Sequence, residues 1–372
     1  MRAPVPREAP TPCDASPFRI RDDVPLASIP PHAWDRVAGR QPFVSHAWLS
    51  ALEDTGCATA RTGWTPRFLT AWRGATLAGA LPLYAKAHSY GEYVFDWGWA
   101  NAYRRHGRRY YPKLVAAVPF TPVTGPRMLA DDPAVRHALL DHARAGLADE
   151  FSSLHVLFVD EAQSAEGVVA GMTMRSGIQF HWTNEKYRDF ADFLASMSHA
   201  KRNKIRQERR RLAGAGIEFR RLEGRAIQAS DWMFFHDCYT RTYAEHGSTP
   251  YLTLDFFERI GTALPHNLLL VIGYRGSRPI CAALDIHDSH TLWGRYWGTQ
   301  EFVPGLHFEA CYYQAIDFCI EREIMRFEGG AQGAHKLARG LRPVPTRSLH
   351  DIADPAFAAA IAEFCTAEGT EI

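Results

Sequence analysis

Apolar and polar positions alternate along the chain in stretches of two kinds. Phe43–Glu53 has helical spacing and is opened by Ser45, a residue type suited to an N-cap. Arg67–Trp72 and Leu77–Tyr84 are apolar or alternating runs on either side of Arg73-Gly74, a hairpin signature. Glu92–Trp97 and Val115–Phe120 read as strands, Ala134–Leu147 as a helix and Leu154–Val159 as a strong β run. Phe190–Met197 and Lys201–Leu212 then predict helices, and Ile217–Leu222 a strand. Trp232–Tyr243 and Leu254–Ile260 are helical, the second bounded by Thr253 and Gly261. Leu268–Tyr274, Pro279–Ile286 and Thr291–Gly298 predict an antiparallel meander. A long helix, Phe308–Glu321, a strand, Ile324–Phe327, and a terminal helix, Ala356–Phe364, complete the series.

This order predicts a mixed α/β fold in two units, residues 18–186 and 187–372. Residues 1–17 hold five prolines and no apolar run, and read as a disordered tail. Each unit runs through a meander, an aromatic strand, a glycine- or aromatic-rich segment and a further strand. Tyr93-Val94-Phe95-Asp96-Trp97-Gly98 in the first is matched by Gly294-Arg295-Tyr296-Trp297-Gly298 in the second, which suggests an internal duplication. A chain of 372 residues fits two domains at roughly 150 residues each.

Composition narrows the function classes. Lys and Arg total 42 against 41 Asp and Glu, so no global basic field exists and only a local patch can attract nucleic acid. No apolar run approaches the length of a membrane span. The seven cysteines are odd in number and form no CxxC pair, which favours reduced, buried thiols in a cytoplasmic protein over a disulfide frame or a zinc site. No metal site is expected. HExxH, GxSxG, a Walker motif and a GxGxxG after a strand are all missing from the sequence.

Four segments carry candidate chemistry. In Lys201–Arg221, nine of 21 residues are Lys or Arg, and Arg202, Arg206, Arg209 and Arg210 share one side of a helix. Such a stripe suits phosphate, and Arg202, Arg206 and Arg210 are expected to face a cleft between the units. A solvated helix face is the simpler alternative. In Thr291–Glu321 a strand leads through a tight connection into a long helix, an arrangement that aims helix N-terminal amides at an anion. Arg295, His307 and Glu309 are the candidate site groups there. In Phe327–Gly340, glycines follow a strand end, with Gln332, His335 and Lys336 crowded into the loop; a lysine so placed can stabilise an oxyanion or hold a phosphate. His88–Tyr111, with Lys113 just beyond, mixes five tyrosines with four arginines. It reads either as an aromatic floor with a cationic rim, using Tyr90, Asp96, Tyr103 and Lys113, or as a packed seam.

Taken together, HSYGEYVFDW, YYPKL, AVPFTPVTGPR, SSLHVLF, QFHW, KRNKIRQERR, GRYWG, LHFEACYYQ and FEGGAQGAHKLARG resemble the FemAB-like N-acyltransferases of the GCN5-related (GNAT) superfamily. The resemblance covers nearly the whole chain after the tail. It implies a tandem of two GNAT-like domains with mixed, mostly antiparallel, splayed sheets and a cleft between them. It also implies transfer of an acyl or aminoacyl group from acyl-CoA or aminoacyl-tRNA, as co-substrate and not as a tightly bound cofactor, to an amine acceptor such as a cell-wall precursor. Fem-type enzymes carry an Arg-rich stretch resembling Lys201–Arg211 and a late lysine near a glycine, which Lys336 and Gly340 resemble. Two departures stand out. The GNAT pattern Q/R-x-x-G-x-G/A is met only by Gln300 and Gly305, with His307 near the second glycine position, and the coiled-coil arm of some Fem enzymes has no counterpart.

Acyl transfer to an amine needs a positioned carbonyl, an oxyanion donor and a proton acceptor. Backbone amides of Tyr296–Gly298 with Lys336 are the expected donors, and Glu309 or His335 the expected acceptor, with Gln332 and Tyr296 in the same cleft. The competing reading is a non-catalytic recognition module that binds a phosphorylated cell-wall or nucleotide ligand in that cleft.

Overall fold

The computed structural model describes residues 18–147, 150–331 and 333–371. The expected tail, 1–17, and Gln332 lie outside them. Two sheets form the framework. A small one, in the order β1-β3-β4, joins β1 (Arg19–Arg21), β3 (Leu69–Arg73) and β4 (Thr76–Leu81). The other has eleven strands and runs through the whole molecule. Its order is β2 (Trp64–Pro66), β5 (Leu83–Lys86), β6 (Lys113–Ala116), β7 (Ser153–Val159), β14 (Arg342–Ile352), β8 (Thr173–Thr183), β13 (Arg326–Glu328), β12 (Thr291–Thr299), β11 (Arg278–His287), β10 (Leu268–Arg275) and β9 (Ile217–Glu223).

Among the described strands only β6·β7 and β12·β13 pair in parallel. Each half of the large sheet thus repeats one pattern: an antiparallel hairpin, a parallel pair and an antiparallel outer strand. The runs are β5-β6-β7-β14 and β11-β12-β13-β8. The outer strands are exchanged between halves. β8 comes from the first half of the sequence yet pairs with β13, and β14 comes from its end yet pairs with β7. These two strands then pair with each other from Arg342–His181 to His350–Thr173. The boundary expected at 186/187 falls after β8, and the sheet is continuous across it.

Neither β8 nor β14 is evident in the sequence. Pro343 and Pro345 argue against a central strand because proline cannot donate to a ladder. They are accommodated because β7 pairs β14 only from Arg347 to Ile352, so the edge beside the prolines is open. Glu92–Trp97, expected as a strand, is irregular and leads into a helix, Trp97–Arg105. Gly91 and Tyr93 adopt positive φ there, which breaks an extended run, and Trp99 and Tyr103, four residues apart, form the buried side of the helix.

The halves share one core. Trp48, on the first-half helix His46–Asp54, meets Phe256 edge to face at 5.2 Å, and Phe43 meets Trp293 of β12 at 5.2 Å. The helix Leu254–Ala263, which carries Phe256, is capped as expected: Thr253 accepts from the Phe256 amide. Aromatic packing of this kind fixes the two halves relative to each other.

Candidate functional site

The parallel pair β12·β13 is short. It ends at Trp293–Glu328, and beyond that point β12 pairs only with β11. The sheet therefore parts between β12 and the Gly329-Gly330 segment that follows β13. At the same place β12 is bulged: Leu284 faces Tyr296 and Asp285 faces Gly294, which leaves Arg295 without a cross-strand partner. A bulge leaves its extra residue out of the ladder and re-aims the local backbone.

A cavity of about 640 Å³ opens at this parting. Tyr93, Gln179, Tyr239, Arg295, Tyr296 and Gly330 are among its walls. A smaller chamber of about 110 Å³ lies against Asp285, His307, Cys311 and Tyr312. Gly294, Arg295, Tyr296, Trp297 and Gly329 line both, so the two spaces adjoin through the gap in the sheet. Gly294 keeps this space open: a Cβ there would stand a tight 3.1 Å from the Phe327 ring and 3.5 Å from the Asp285 carboxylate.

Three titratable groups at the parting are buried with few partners among the described residues. Asp285 is 1% exposed, its Oδ2 makes no hydrogen bond, and burial pushes its carboxyl well above the usual range. Glu328, at the end of β13, lines neither space itself but precedes Gly329, which lines both; the Trp293 indole favours its charged form, Arg326 Nε approaches one oxygen to 3.3 Å and His181 the other to 3.9 Å. Burial outweighs the attraction of Arg326 and Arg295 and raises the Glu328 carboxyl to about 7. Lys336 sits in the short helix Ala334–Arg339 and is 4% exposed. A Cβ at Gly330 would come within 3.7 Å of its amine, which places Lys336 directly behind the cavity wall. Burial lowers this amine to about 8, only partly offset by Cys311.

Tyr296, Arg295, His307 and Lys336, all expected from the sequence, are thus gathered at the parting. The Tyr296 hydroxyl is buried without a partner, and an Arg295 Nη donates to the Phe120 carbonyl of the other half at 3.2 Å. His307 packs on Trp297 at 5.2 Å, and burial lowers it to about 4, so it is neutral at pH 7.

Other candidates stand elsewhere. Glu309 opens a π turn, Glu309–Tyr313, and is engaged by Arg209 at 3.0 and 3.1 Å and by Gln314 at 2.8 Å. These partners occupy its carboxylate, and no residue next to it in sequence lines either space. His335 is exposed, with Nε2 3.4 Å from the Tyr312 hydroxyl. The basic helix His199–Gly214 buries Ile205 and Leu212 and turns Glu208 and Arg209 toward the protein, where Glu208 accepts from Arg339 and Tyr313. Arg206 and Arg210 consequently point to solvent, and Arg202 donates to the Ala195 carbonyl at 3.4 Å; none lines the cavity. The His88–Lys113 segment is mainly a packed seam. Lys113 is fully buried between Glu92, at 2.8 Å, and Asp96, which also accepts from Tyr110. Tyr103 stacks on Phe357 at 3.9 Å, and Tyr90 is 56% exposed.

The sequence reading missed Asp285 and Glu328. Asp285 is a lone carboxylate in an apolar strand. Glu328 lies between Phe327 and Gly329 inside the glycine-rich motif, and that position was its available signal.

The FemAB-like family, described as peptidoglycan biosynthesis/recognition, matches residues 25–372. No curated protein sequence matches the chain. Among solved structures, FemX is similar at a TM-score of 0.56 and 12% identity, over 90% of this chain and 98% of its own. A conserved protein of unknown function from Bacteroides thetaiotaomicron is similar at 0.51 and 10% identity, over 90% and 99%. A tandem GNAT protein from the clavulanic acid pathway gives 0.44 and 10% identity, over 91% and 99%. The likeness to FemX is one of fold and extends across both halves.

Proposed function

The chain belongs to the FemAB-like family, and on that premise we propose that it is an N-acyltransferase whose reaction takes place at the parting of β12 and β13. The acyl or aminoacyl donor is an acyl-CoA or an aminoacyl-tRNA, and the acceptor is an amine. The family's peptidoglycan description favours a cell-wall precursor as that acceptor. The observation that carries the reading is the conjunction at one gap of a bulged strand, the buried carboxyl of Glu328 and the buried amine of Lys336.

The chemistry follows from these groups. The acceptor nitrogen attacks the donor carbonyl, a C–N bond forms, and the C–S or C–O bond to the leaving group breaks. Glu328 takes the amine proton; a carboxyl near 7 is partly ionised at neutral pH and returns the proton readily to the departing thiolate or alkoxide. Lys336, charged below about 8, and backbone amides of Arg295–Trp297 stabilise the oxyanion. Glu309 and His335 have no part in this scheme. No covalent intermediate on the protein is needed.

The test supplies acetyl-CoA, longer acyl-CoAs and charged tRNA separately, with a stem peptide bearing a free lysyl amine, and follows amide formation by mass spectrometry. A new amide with one donor class supports the proposal. Binding of the peptide with no amide from any donor supports the recognition-module reading.

A further inference from the structure

Among the described residues, nothing covers one side of the helix Trp97–Arg105. Trp99 and Tyr103 face inward, whereas Trp97, Asn101, Arg104 and Arg105 face solvent. The chain continues outward through Arg108 and Arg109, so residues 104–109 are exposed without interruption. No Asp or Glu occurs from Trp97 to Ala130. Arg104 donates only to Asn101, at 3.1 Å, and none of these four arginines forms an ion pair among the described residues.

Apolar surface adjoins this basic edge. Trp97 packs on exposed Tyr90 at 4.9 Å, and Phe95 is 62% exposed. Arg175 ties the patch together: it donates to the Phe95 carbonyl at 2.8 Å and lies 5.5 Å from the ring of Phe364, itself 45% exposed. Phe364 belongs to the C-terminal helix Pro355–Glu371, whose outer side carries exposed Ala356, Ala359, Ala360 and Ala367. Glu368 is neutralised by Arg175 at 2.6 Å, and Glu363 is an exposed carboxylate of that side. Phe95, Arg175 and Glu368 also line the 640 Å³ cavity, so the patch borders its mouth.

We propose that this surface docks on an anionic lipid bilayer, with Trp97, Phe95 and Phe364 in the headgroup boundary and Arg104, Arg105, Arg108 and Arg109 against lipid phosphates. Aromatic side chains settle at that depth, and arginines beside them gain from the negative surface potential. A nucleic acid would account for the arginines but not for the alanine and phenyl surface of the C-terminal helix. Docking would turn the cavity mouth toward the membrane plane, where an amphiphilic acceptor could enter laterally. The inference concerns binding alone and stands whether or not acyl transfer is established.

The test is flotation of the full chain with phosphatidylcholine vesicles, with and without phosphatidylglycerol. Binding to the anionic vesicles is expected, with loss on raising salt. Replacement of Arg104, Arg105, Arg108 and Arg109 by Ala should lower the partition roughly fivefold per arginine. Trp97→Ser should weaken it further at unchanged salt dependence. Equal binding to both vesicle types, binding to neither, or wild-type partition by the arginine variants overturns the proposal. So does displacement from vesicles by an RNA oligonucleotide that requires the same arginines. The salt titration of the unaltered chain serves where a multiple variant fails to fold.

Discussion

The large sheet parts twice, and the two partings have opposite fates. In the first half, β6 leaves β7 after Ala116, and the chain itself fills the gap. Gly125 runs beside Val159 as a parallel bridge, its amide donating to the Phe158 carbonyl at 3.0 Å. Arg127 is driven into the interior and donates to the carbonyls of Leu157, Pro126 and Val123. In the second half, β12 leaves β13 after Trp293, and the space stays open. Two of the three buried lysines among the described residues contrast in the same way; the third, Lys86, donates to the Tyr90 carbonyl at 3.2 Å and is lowered to about 7 by burial without lining either space. Lys113 stands between two carboxylates, and their attraction raises its amine against the effect of burial. Lys336 has no carboxylate partner among the described residues, and burial lowers its amine to about 8. A buried charge paired within the protein belongs to the framework. One left unpaired beside a cavity carries a standing cost that a ligand can offset.

The comparison breaks most visibly at Lys113. Lys113→Met strands Glu92 and Asp96 in the interior and should cost about 3–5 kcal/mol, read by denaturant unfolding. An unchanged midpoint would mean that the paired cluster is not structural. Lys336→Ala should instead lower turnover by about two to three orders of magnitude, with the thermal midpoint unchanged or raised. Wild-type turnover would remove Lys336 from the mechanism.

Glu328→Gln sharpens the contrast because two readouts should move in opposite directions. In the wild type, kcat/KM should rise as Glu328 ionises near 7 and fall as Lys336 loses its proton near 8. The variant should lose the acidic limb and about two orders of magnitude in rate. Its stability should increase. The folded carboxyl is raised from 4.5 to about 7, so ionisation penalises the native state progressively across that window and fully above it. At pH 8 removal of the charge is worth on the order of 3 kcal/mol. A less stable variant with an intact pH profile would contradict both assignments. The smallest effect is expected at Arg206→Glu, which should change stability by no more than about 0.5 kcal/mol and leave turnover alone, because this arginine faces solvent. A large rise in donor KM would restore the basic stripe to the site.

Much of the frame was legible because local signals agreed with it. The Leu268–Gly298 meander and the Thr253-capped helix are where periodicity and capping residues place them. β14 was hidden by Pro343 and Pro345, which are harmless only because the exchange of outer strands leaves one edge of β14 open there. No single-residue pattern encodes that exchange. At the site, the glycines after β13 pointed to Lys336. Asp285 was not legible, since a carboxylate in a strand reads as solvent-facing until the neighbouring strand is known to depart; Glu328 offered only its place beside the glycines after β13. The stripe Arg202, Arg206, Arg210 misled for a related reason: Ile205 and Leu212 fix the inward side of that helix, and this places Glu208 and Arg209 toward the protein.

The central claim is that Lys336 is an unpaired amine at an open parting, whereas Lys113 is locked inside a closed cluster. Trace labelling with acetic anhydride across pH, with each lysine quantified by mass spectrometry, measures this directly and needs no substrate. Lys336 should become reactive through a titration near 8, well below the ordinary 10.5, while Lys113 stays unlabelled in the native protein. A Lys336 that titrates near 10.5, or that is as inert as Lys113, would contradict the account.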